Sequence, residues 1–290
     1  MSGTVGLVGV GLVGLELARH LVAHGFRVVG YDIDANRLAL LEMAGGEAAG
    51  SPAAVAGRAD RVVLALLDTP TTCRAAEGED GLMRAARPPR YVIDTSTGDP
   101  DAVVALGERL AARGTRLVDA TLSGSSAQIA ARTAAVMVGA RAEDRAACAD
   151  LLAALGDRVF HVGGPGAGMK AKLATNVIVG LNRVALAEGL AFARSLGLDP
   201  AAFLALAKAT PAYSAAMDAK GERMVAGRYA DPESRVRQHR KDVAIIERYA
   251  QAAGQRLPLT EAHRDLLDAA IAAGDGELDN AAIFRRYHRA

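Results

Sequence analysis

The 290-residue chain has no tryptophan and only 4% aromatic residues, so any core it builds is made of aliphatic side chains. Cysteine is nearly missing: Cys73 and Cys148 stand far apart, without metal-ligand spacing or the density of a disulfide framework, which fits a reducing compartment. Net charge is almost nil, 34 basic against 33 acidic residues, so no bulk field draws the chain to nucleic acid or an anionic membrane. The one basic stretch, Arg235, Arg237, His239, Arg240 and Lys241, reads mostly as a solvated helix face or a subunit contact. No segment offers the ~20 uninterrupted apolar residues of a membrane span. The opening residues lack the basic start and cleavage site of a secretory leader. The expectation is a cytoplasmic protein with a small-molecule partner and neither nucleic acid nor membrane as partner.

What is present is ample apolar material, 51% of residues with 23% charged, in a chain long enough for one large domain or two smaller ones. The front of the chain is the most legible. Thr4 to Val8 is a short apolar run, followed at once by Gly9, Val10, Gly11, Leu12, Val13 and Gly14, then by a helical pattern that Gly25 stops. A second apolar run from Arg27 to Tyr31 ends at Asp32. Strand, glycine turn, helix, strand is the order of a dinucleotide-binding βαβ unit. In that unit Gly9 makes the tight turn, Gly11 lets backbone approach a pyrophosphate, and Gly14 lets helix and strand pack closely. Asp32, at the end of the second strand, is placed to hold both adenosine ribose hydroxyls and to repel a 2′-phosphate, so NAD is expected over NADP. Arg37 complicates that preference less if it lies on the next helix and pairs with an acid.

The rhythm continues with expected strands at residues 61–67, 91–94, 116–120, 134–138 and 159–162, each short and mostly apolar as doubly covered strands are. Ser51 and Pro52 mark the start of a short helix ahead of the first of these. Ligands in such folds collect beyond the carboxyl ends of strands, which directs attention to Leu67–Pro70 and to Asp94, Thr95, Ser96 and Thr97. Most of these hydroxyls fit helix caps equally well; Thr97 is the candidate cofactor contact. From Gly163 the pattern turns helical: residues 169–195, a restart capped by Asp199 with Pro200 behind it, and further helices near 213–225, 240–253 and 260–273. The expected architecture is an α/β Rossmann-type N-terminal domain, residues 1–163, and an all-α C-terminal domain, residues 164–290, joined by a long interdomain helix. That helix is too apolar for a single wetted face, which points to burial against its own domain or a partner subunit.

Lys172 and Asn176 are four residues apart on the long helix and therefore share a face. Hydride transfer from an alcohol also requires removal of the hydroxyl proton, work suited to a lysine in a buried or electropositive setting. Taken alone, Lys172 fits an ordinary solvated lysine as well. The segment Asp119, Ala120, Thr121, Leu122, Ser123, Gly124, Ser125, Ser126 follows a strand and offers backbone N–H and hydroxyl donors for a carboxylate. Lys241 and Asp242 open an apolar helix; the lysine can reach cofactor or substrate while the aspartate orients it, although a surface ion pair is the plainer reading.

Together these segments resemble the 3-hydroxyisobutyrate dehydrogenase family of β-hydroxyacid dehydrogenases, which includes tartronate semialdehyde reductases and threonate dehydrogenases. The likeness runs over nearly the whole chain: the fingerprint at Gly9, Gly11 and Gly14; the DxSTxxP segment at Asp94, Ser96, Thr97 and Pro100; DATLSGS for the usual DAPVSGG; GAGMKAKLATN for GxGxxxKxxNN; and the Lys241–Asp242 pair. The resemblance implies that Lys172 is catalytic, that Ser123, Gly124 and Asn176 bind substrate, and that Lys241 belongs at the active site. It also implies a homodimer or homotetramer. Thr121 replaces a proline, Ser125 a glycine, Thr175 an asparagine and Ser234 a phenylalanine, and Arg132 precedes Thr133 where glycine is common. The altered loop implies a more polar, less open carboxylate pocket, favouring a glycerate- or threonate-like acid at least as much as 3-hydroxyisobutyrate. An imine or other carbonyl reductase is the alternative enzyme, opposed by Lys172, since relatives with that activity carry another proton donor there. A non-catalytic NAD-binding sensor would have no use for Lys172 and Asn176 beside Ser123.

Overall fold

The computed structural model describes residues 3–287. Contacts divide the chain between Lys172 and Leu173 into an α/β unit and a helical unit. The first unit is built from β1 (Thr4–Val8), α1 (Leu12–Ala23), β2 (Arg27–Tyr31), α2 (Ala35–Met43), β3 (Glu47–Ala48), α3 (Pro52–Ala56), β4 (Arg61–Leu64) and α4 (Thr69–Glu77). It continues through β5 (Tyr91–Asp94), α5 (Pro100–Ala111), β6 (Arg116–Ser123), α6 (Ser126–Ala130), β7 (Ala135–Gly139), α7 (Ala142–Ala147), α8 (Ala149–Leu155) and β8 (Arg158–Gly163).

The strands form one sheet in the order β3-β2-β1-β4-β5-β6-β7-β8, parallel throughout except where β7 runs against β6. Alternate residues of each strand face opposite layers, which is why the strands read as unbroken apolar runs. Val5, Leu7, Val28, Val63 and Ile93 pack with Leu17 and Leu21 of α1 and Leu151 and Leu155 of α8. Val62, Leu64 and Val92 pack on the other face with Val55 of α3 and Leu106 and Leu110 of α5. The local signals behave as read: Ser51 Oγ accepts from Ala54 N–H at 3.1 Å, with Pro52 behind it.

Two expected strand ends need correction. The strand expected over 116–120 runs on to Ser123 as the antiparallel partner of β7, so Thr121 and Leu122 are strand and not loop. The strand expected over 61–67 stops at Leu64, and the two-residue β3 carries too little apolar pattern to be seen in advance.

The long helix α9 (Ala167–Ser195) begins in the first unit and continues into the second, where α10 (Pro200–Lys208), a π turn (Met217–Gly221), α11 (Glu222–Ala226), α12 (Val236–Ala252) and α13 (Pro258–Ala272) follow, with a 3-10 segment at Asn280–Tyr287. By length and composition alone α9 would suffice to cross a membrane. Here Leu186, Ala187 and Leu190 of α9 pack with Leu204, Val236, Val243, Leu267 and Phe284 in a separate core. The helix expected from 240 starts at Val236, whose side chain is fully buried, beside a bridge between Arg235 and Asp279. The intervening run of basic residues hides this start in the sequence. The single helix expected over 213–225 is broken by the π turn that buries Lys220 against Asp279.

Candidate active site

Parallel strands put their carboxyl ends on one edge of the sheet, and the register fixes the level of each. Val8 pairs with Leu64, Leu64 with Asp94 and Asp94 with Asp119, so the glycine turn, the 94–97 loop and the end of β6 rise from neighbouring strands. Gly9 has φ +92°, and a Cβ there would collide with the Ala65 carbonyl; one on Gly14 would collide with the Gly9 carbonyl. Gly11 meets nothing within 4 Å, and no side chain caps the N-terminus of α1 behind it. An open backbone approach and free helix N–H groups are what a pyrophosphate requires. Val10 is buried, Val13 packs against the core and Leu12 is exposed at the turn. Asp32 is fixed at the end of β2: its carboxylate accepts from Val10 N–H at 2.6 Å and Asp34 N–H at 3.0 Å. Arg37, on α2, donates to the Val10 carbonyl at 3.3 Å and lies 3.9 Å from Asp34. These residues fit a dinucleotide.

The hydroxyls after β4 and β5 do more than cap. Asp68 and Asp99 are the N-caps of α4 and α5. Thr95 Oγ1 donates to the Leu64 carbonyl at 2.7 Å and Ser96 Oγ accepts from Leu66 N–H at 3.0 Å, tying the two loops together and leaving Thr97 half-buried above them. Asp94 is wholly buried and its Oδ2 meets no partner; burial, with Asp119 nearby, pushes its carboxyl up to about 6 against the pull of Ser96.

At β6 the structure adds what the sequence reading missed. Asp119 accepts from Gly166 N–H at 2.9 Å and Met169 N–H at 3.0 Å, and Thr121 Oγ1 donates to the Gly168 carbonyl at 2.9 Å. Burial pushes the Asp119 carboxyl up, and those N–H donors hold it down. The strand thus grips the first turn of α9, and the half-buried Lys172 lies one turn beyond Met169. The same strand ends four residues after Asp119 in Ser123, about 13 Å further along, with exposed Gly124 next. Ser125 closes a capping box at the start of α6: its backbone N–H donates to Gln128 Oε1 at 2.9 Å and its Oγ accepts from Gln128 N–H at 3.3 Å, so its backbone N–H is already taken. Arg132 takes φ 60°, which explains why glycine suits that position, and it donates to Asp157 and to the Ala153 and Ala154 carbonyls.

In the helical unit Asn176 Nδ2 donates to Asp242 Oδ2 at 3.2 Å, and Lys241 Nζ lies 3.4 Å from Asp242 Oδ1. Asp242 therefore joins the two residues that the motifs singled out separately. Among the described residues no cluster of His, Cys, Asp or Glu is placed to hold a metal.

Comparison with known proteins agrees along the chain. The profile of the NAD-binding domain of 6-phosphogluconate dehydrogenase matches residues 4–163, and that of NADP-dependent 3-hydroxyisobutyrate dehydrogenase matches residues 166–287. The L-threonate dehydrogenase of Cupriavidus necator is 30% identical over 286 residues, 98% of this chain and 96% of that one. The mitochondrial 3-hydroxyisobutyrate dehydrogenase of Rattus norvegicus is 30% identical over 68% of this chain, a match spanning 58% of the rat protein. The crystal structure of a 3-hydroxyisobutyrate dehydrogenase from Salmonella typhimurium superposes with a TM-score of 0.91 at 25% identity, covering 98% of this chain and 100% of that one.

Proposed function

The chain belongs to the 3-hydroxyisobutyrate dehydrogenase-like family of β-hydroxyacid dehydrogenases, an NAD-binding oxidoreductase family, and from that premise we propose that it interconverts a small 3-hydroxy carboxylic acid and its oxo acid, with Lys172 as general acid and base. The observation that carries the proposal is the double role of β6, which ends in Ser123, with Gly124 next, and holds the turn of α9 that precedes Lys172. One rigid strand thereby serves both the carboxylate-binding and the proton-transferring residue, and such fixed placement is what proton transfer in the transition state demands.

In the oxidative direction the substrate carboxylate takes hydrogen bonds from Ser123 and the Gly124 backbone, and the Asn176 amide, oriented by Asp242, holds the hydroxyl end. Lys172 Nζ, as the free amine, accepts the hydroxyl proton while the C–H bond of the same carbon gives up its electron pair with the hydride. NAD, when bound, supplies the hydride acceptor, or the donor in the reverse direction. In reduction the Lys172 ammonium returns the proton to the new alkoxide. Thr97 and Lys241 complete the cofactor contacts in this reading. Asp32 supports NAD over NADP, since its carboxylate is anchored beside the glycine turn where a 2′-phosphate would meet like charge. The acid is of the 3-hydroxyisobutyrate, glycerate or threonate type.

The test is NADH formation with 3-hydroxyisobutyrate, 3-hydroxypropionate, glycerate, threonate and L-serine, repeated with NADP. The expected result is turnover of at least one acid with NAD preferred. Lys172→Ala should lower kcat by roughly 10²- to 10⁴-fold while leaving NAD affinity unchanged. Normal kcat at saturating substrate in that variant would remove Lys172 from the mechanism.

A further inference from the structure

The first turn of α9 meets the sheet with no side chain between them. A Cβ on Gly168 would come within 2.5 Å of the Met137 carbonyl and 2.6 Å of Asp119 Oδ2, and one on Gly139 within 2.6 Å of the Gly168 nitrogen. Helix backbone therefore lies directly on β6 and β7. Interdigitated side chains resist sliding because their shapes interlock. Bare backbones interlock far less, so directional hydrogen bonds decide where this turn sits and how it is rotated.

Those bonds come from two residues of β6. Asp119 Oδ1 accepts from Gly166 N–H at 2.9 Å and Oδ2 from Met169 N–H at 3.0 Å, satisfying donors at the opening of the helix. Thr121, with no exposed surface, donates its hydroxyl to the Gly168 carbonyl at 2.9 Å. Two residues apart on a strand, Asp119 and Thr121 project from one face, about 7 Å from each other. A turn held at two such places cannot pivot about either one. The Gly168 carbonyl is also the α-helical acceptor for the N–H four residues on, which is that of Lys172. A single oxygen thus accepts from the strand and from the backbone of the lysine.

The leverage is large. A side-chain tip lies about 6 Å from a helix axis, so a rotation of about 10° carries it about 1 Å. Misplacement of that size at a reacting group costs up to about a hundredfold in rate.

We propose that Thr121 is a positioning residue for proton transfer: its hydroxyl, through the Gly168 carbonyl, sets the rotation of α9 and with it the placement of the Lys172 amine. The inference rests on the reading of Lys172 as the proton-transfer group and adds the residue that aims it. The Thr121 hydroxyl donates to the Gly168 carbonyl, so its effect on the reaction passes through the helix. The resembling family carries proline at this position, which has no hydroxyl, so the tether belongs to this chain and not to the shared motif.

Three substitutions at one position separate the hydrogen bond from shape. Thr121→Ser keeps the hydroxyl, Thr121→Val keeps the volume without it, and Thr121→Ala loses both. For the acid that the wild type oxidises fastest, kcat should fall about ten- to a hundredfold in Thr121→Val and Thr121→Ala. KM for acid and for NAD should stay within about twofold, and Thr121→Ser should keep kcat within about threefold of wild type. A normal kcat in Thr121→Ala overturns the proposal even if Thr121→Val is slow, because crowding by the valine methyl then explains the loss. An equal loss in Thr121→Ser overturns it too, as does a raised KM with unchanged kcat.

A second measurement needs no turnover. The chain has five lysines, Lys170, Lys172, Lys208, Lys220 and Lys241, and labelling with acetic anhydride, read by mass spectrometry, follows each one. The rate at Lys172 relative to Lys208 on α10 should differ from wild type by at least about threefold in Thr121→Val and Thr121→Ala, the effect of half a pK unit, and match it in Thr121→Ser. An unchanged ratio overturns the placement of Lys172 by Thr121. If the wild type oxidises no acid, the oxidoreductase reading fails by itself, and this ratio alone decides whether Thr121 holds Lys172 in place.

Discussion

At the scale of single residues, the buried acid Asp94 has a measurable consequence. Its carboxyl is pushed from 3.8 to about 6, so the folded chain keeps a proton that the unfolded chain has released across that interval. The contribution is favourable below about pH 4 and is lost as pH rises through about 6, on the order of 3 kcal/mol at 1.36 kcal/mol per pK unit. Asp94→Asn should remove this dependence, so that the variant gains stability relative to wild type between pH 4 and pH 7; urea midpoints at the two pH values measure it, and parallel curves for the two proteins would refute it. Residues that act through type and spacing were legible in the sequence: Gly9, Gly14, Lys172 and Asn176 each stand where a rule about turns or helix faces puts them. Residues that act through what surrounds them were not. The bonds of Asp119 and Thr121 to Gly166, Gly168 and Met169 were not legible, because they depend on a contact 47 to 50 residues distant.

At the scale of elements, caps and strand patterns carried most of the reading. Asp199 Oδ1 accepts from Ala202 N–H at 2.8 Å at the start of α10, as the Asp-Pro pair announces. Asp199→Ala should destabilise the helical unit by about 1 kcal/mol, read as a lower urea midpoint with an unchanged slope; an unchanged midpoint would mean that α10 does not depend on its cap. The ends of elements were harder to read, for physical reasons. The length of β6 is set by its partner β7 and not by its own apolar run, so the strand continues through polar Asp119, Thr121 and Ser123. The start of α12 is set by the burial of Val236 among residues far away in sequence, beneath a surface of arginines that reads as loop.

At the scale of the molecule, the two units own separate cores, and a buried ion pair is a costly feature of one of them. In the helical unit it is Lys220 with Asp279, 7% and 0% exposed and 2.8 Å apart. Removing one member of a buried pair leaves an uncompensated charge, so Lys220→Met should cost about 3 to 5 kcal/mol. Hydrogen exchange should show the loss in α11, α12 and α13, with β1 to β8 keeping their protection; equal loss in both units would mean that they unfold as one. The alternation of strands and helices made the first unit legible as a doubly wound sheet, whereas the π turn and the ion pair beneath it left no periodic trace. The reversal between β6 and β7 also has a meaning for descent. A parallel crossover must travel over a face of the sheet, so lengthening it disturbs a covering helix. The return from Ser123 to Ala135 is made at the strand ends, and Ile129 is its deep anchor. Insertions and deletions in residues 124–134 therefore fall on the turns around α6 and leave the order and pairing of β1 to β5 as they are, as long as Ile129 keeps its place in the core beside α1.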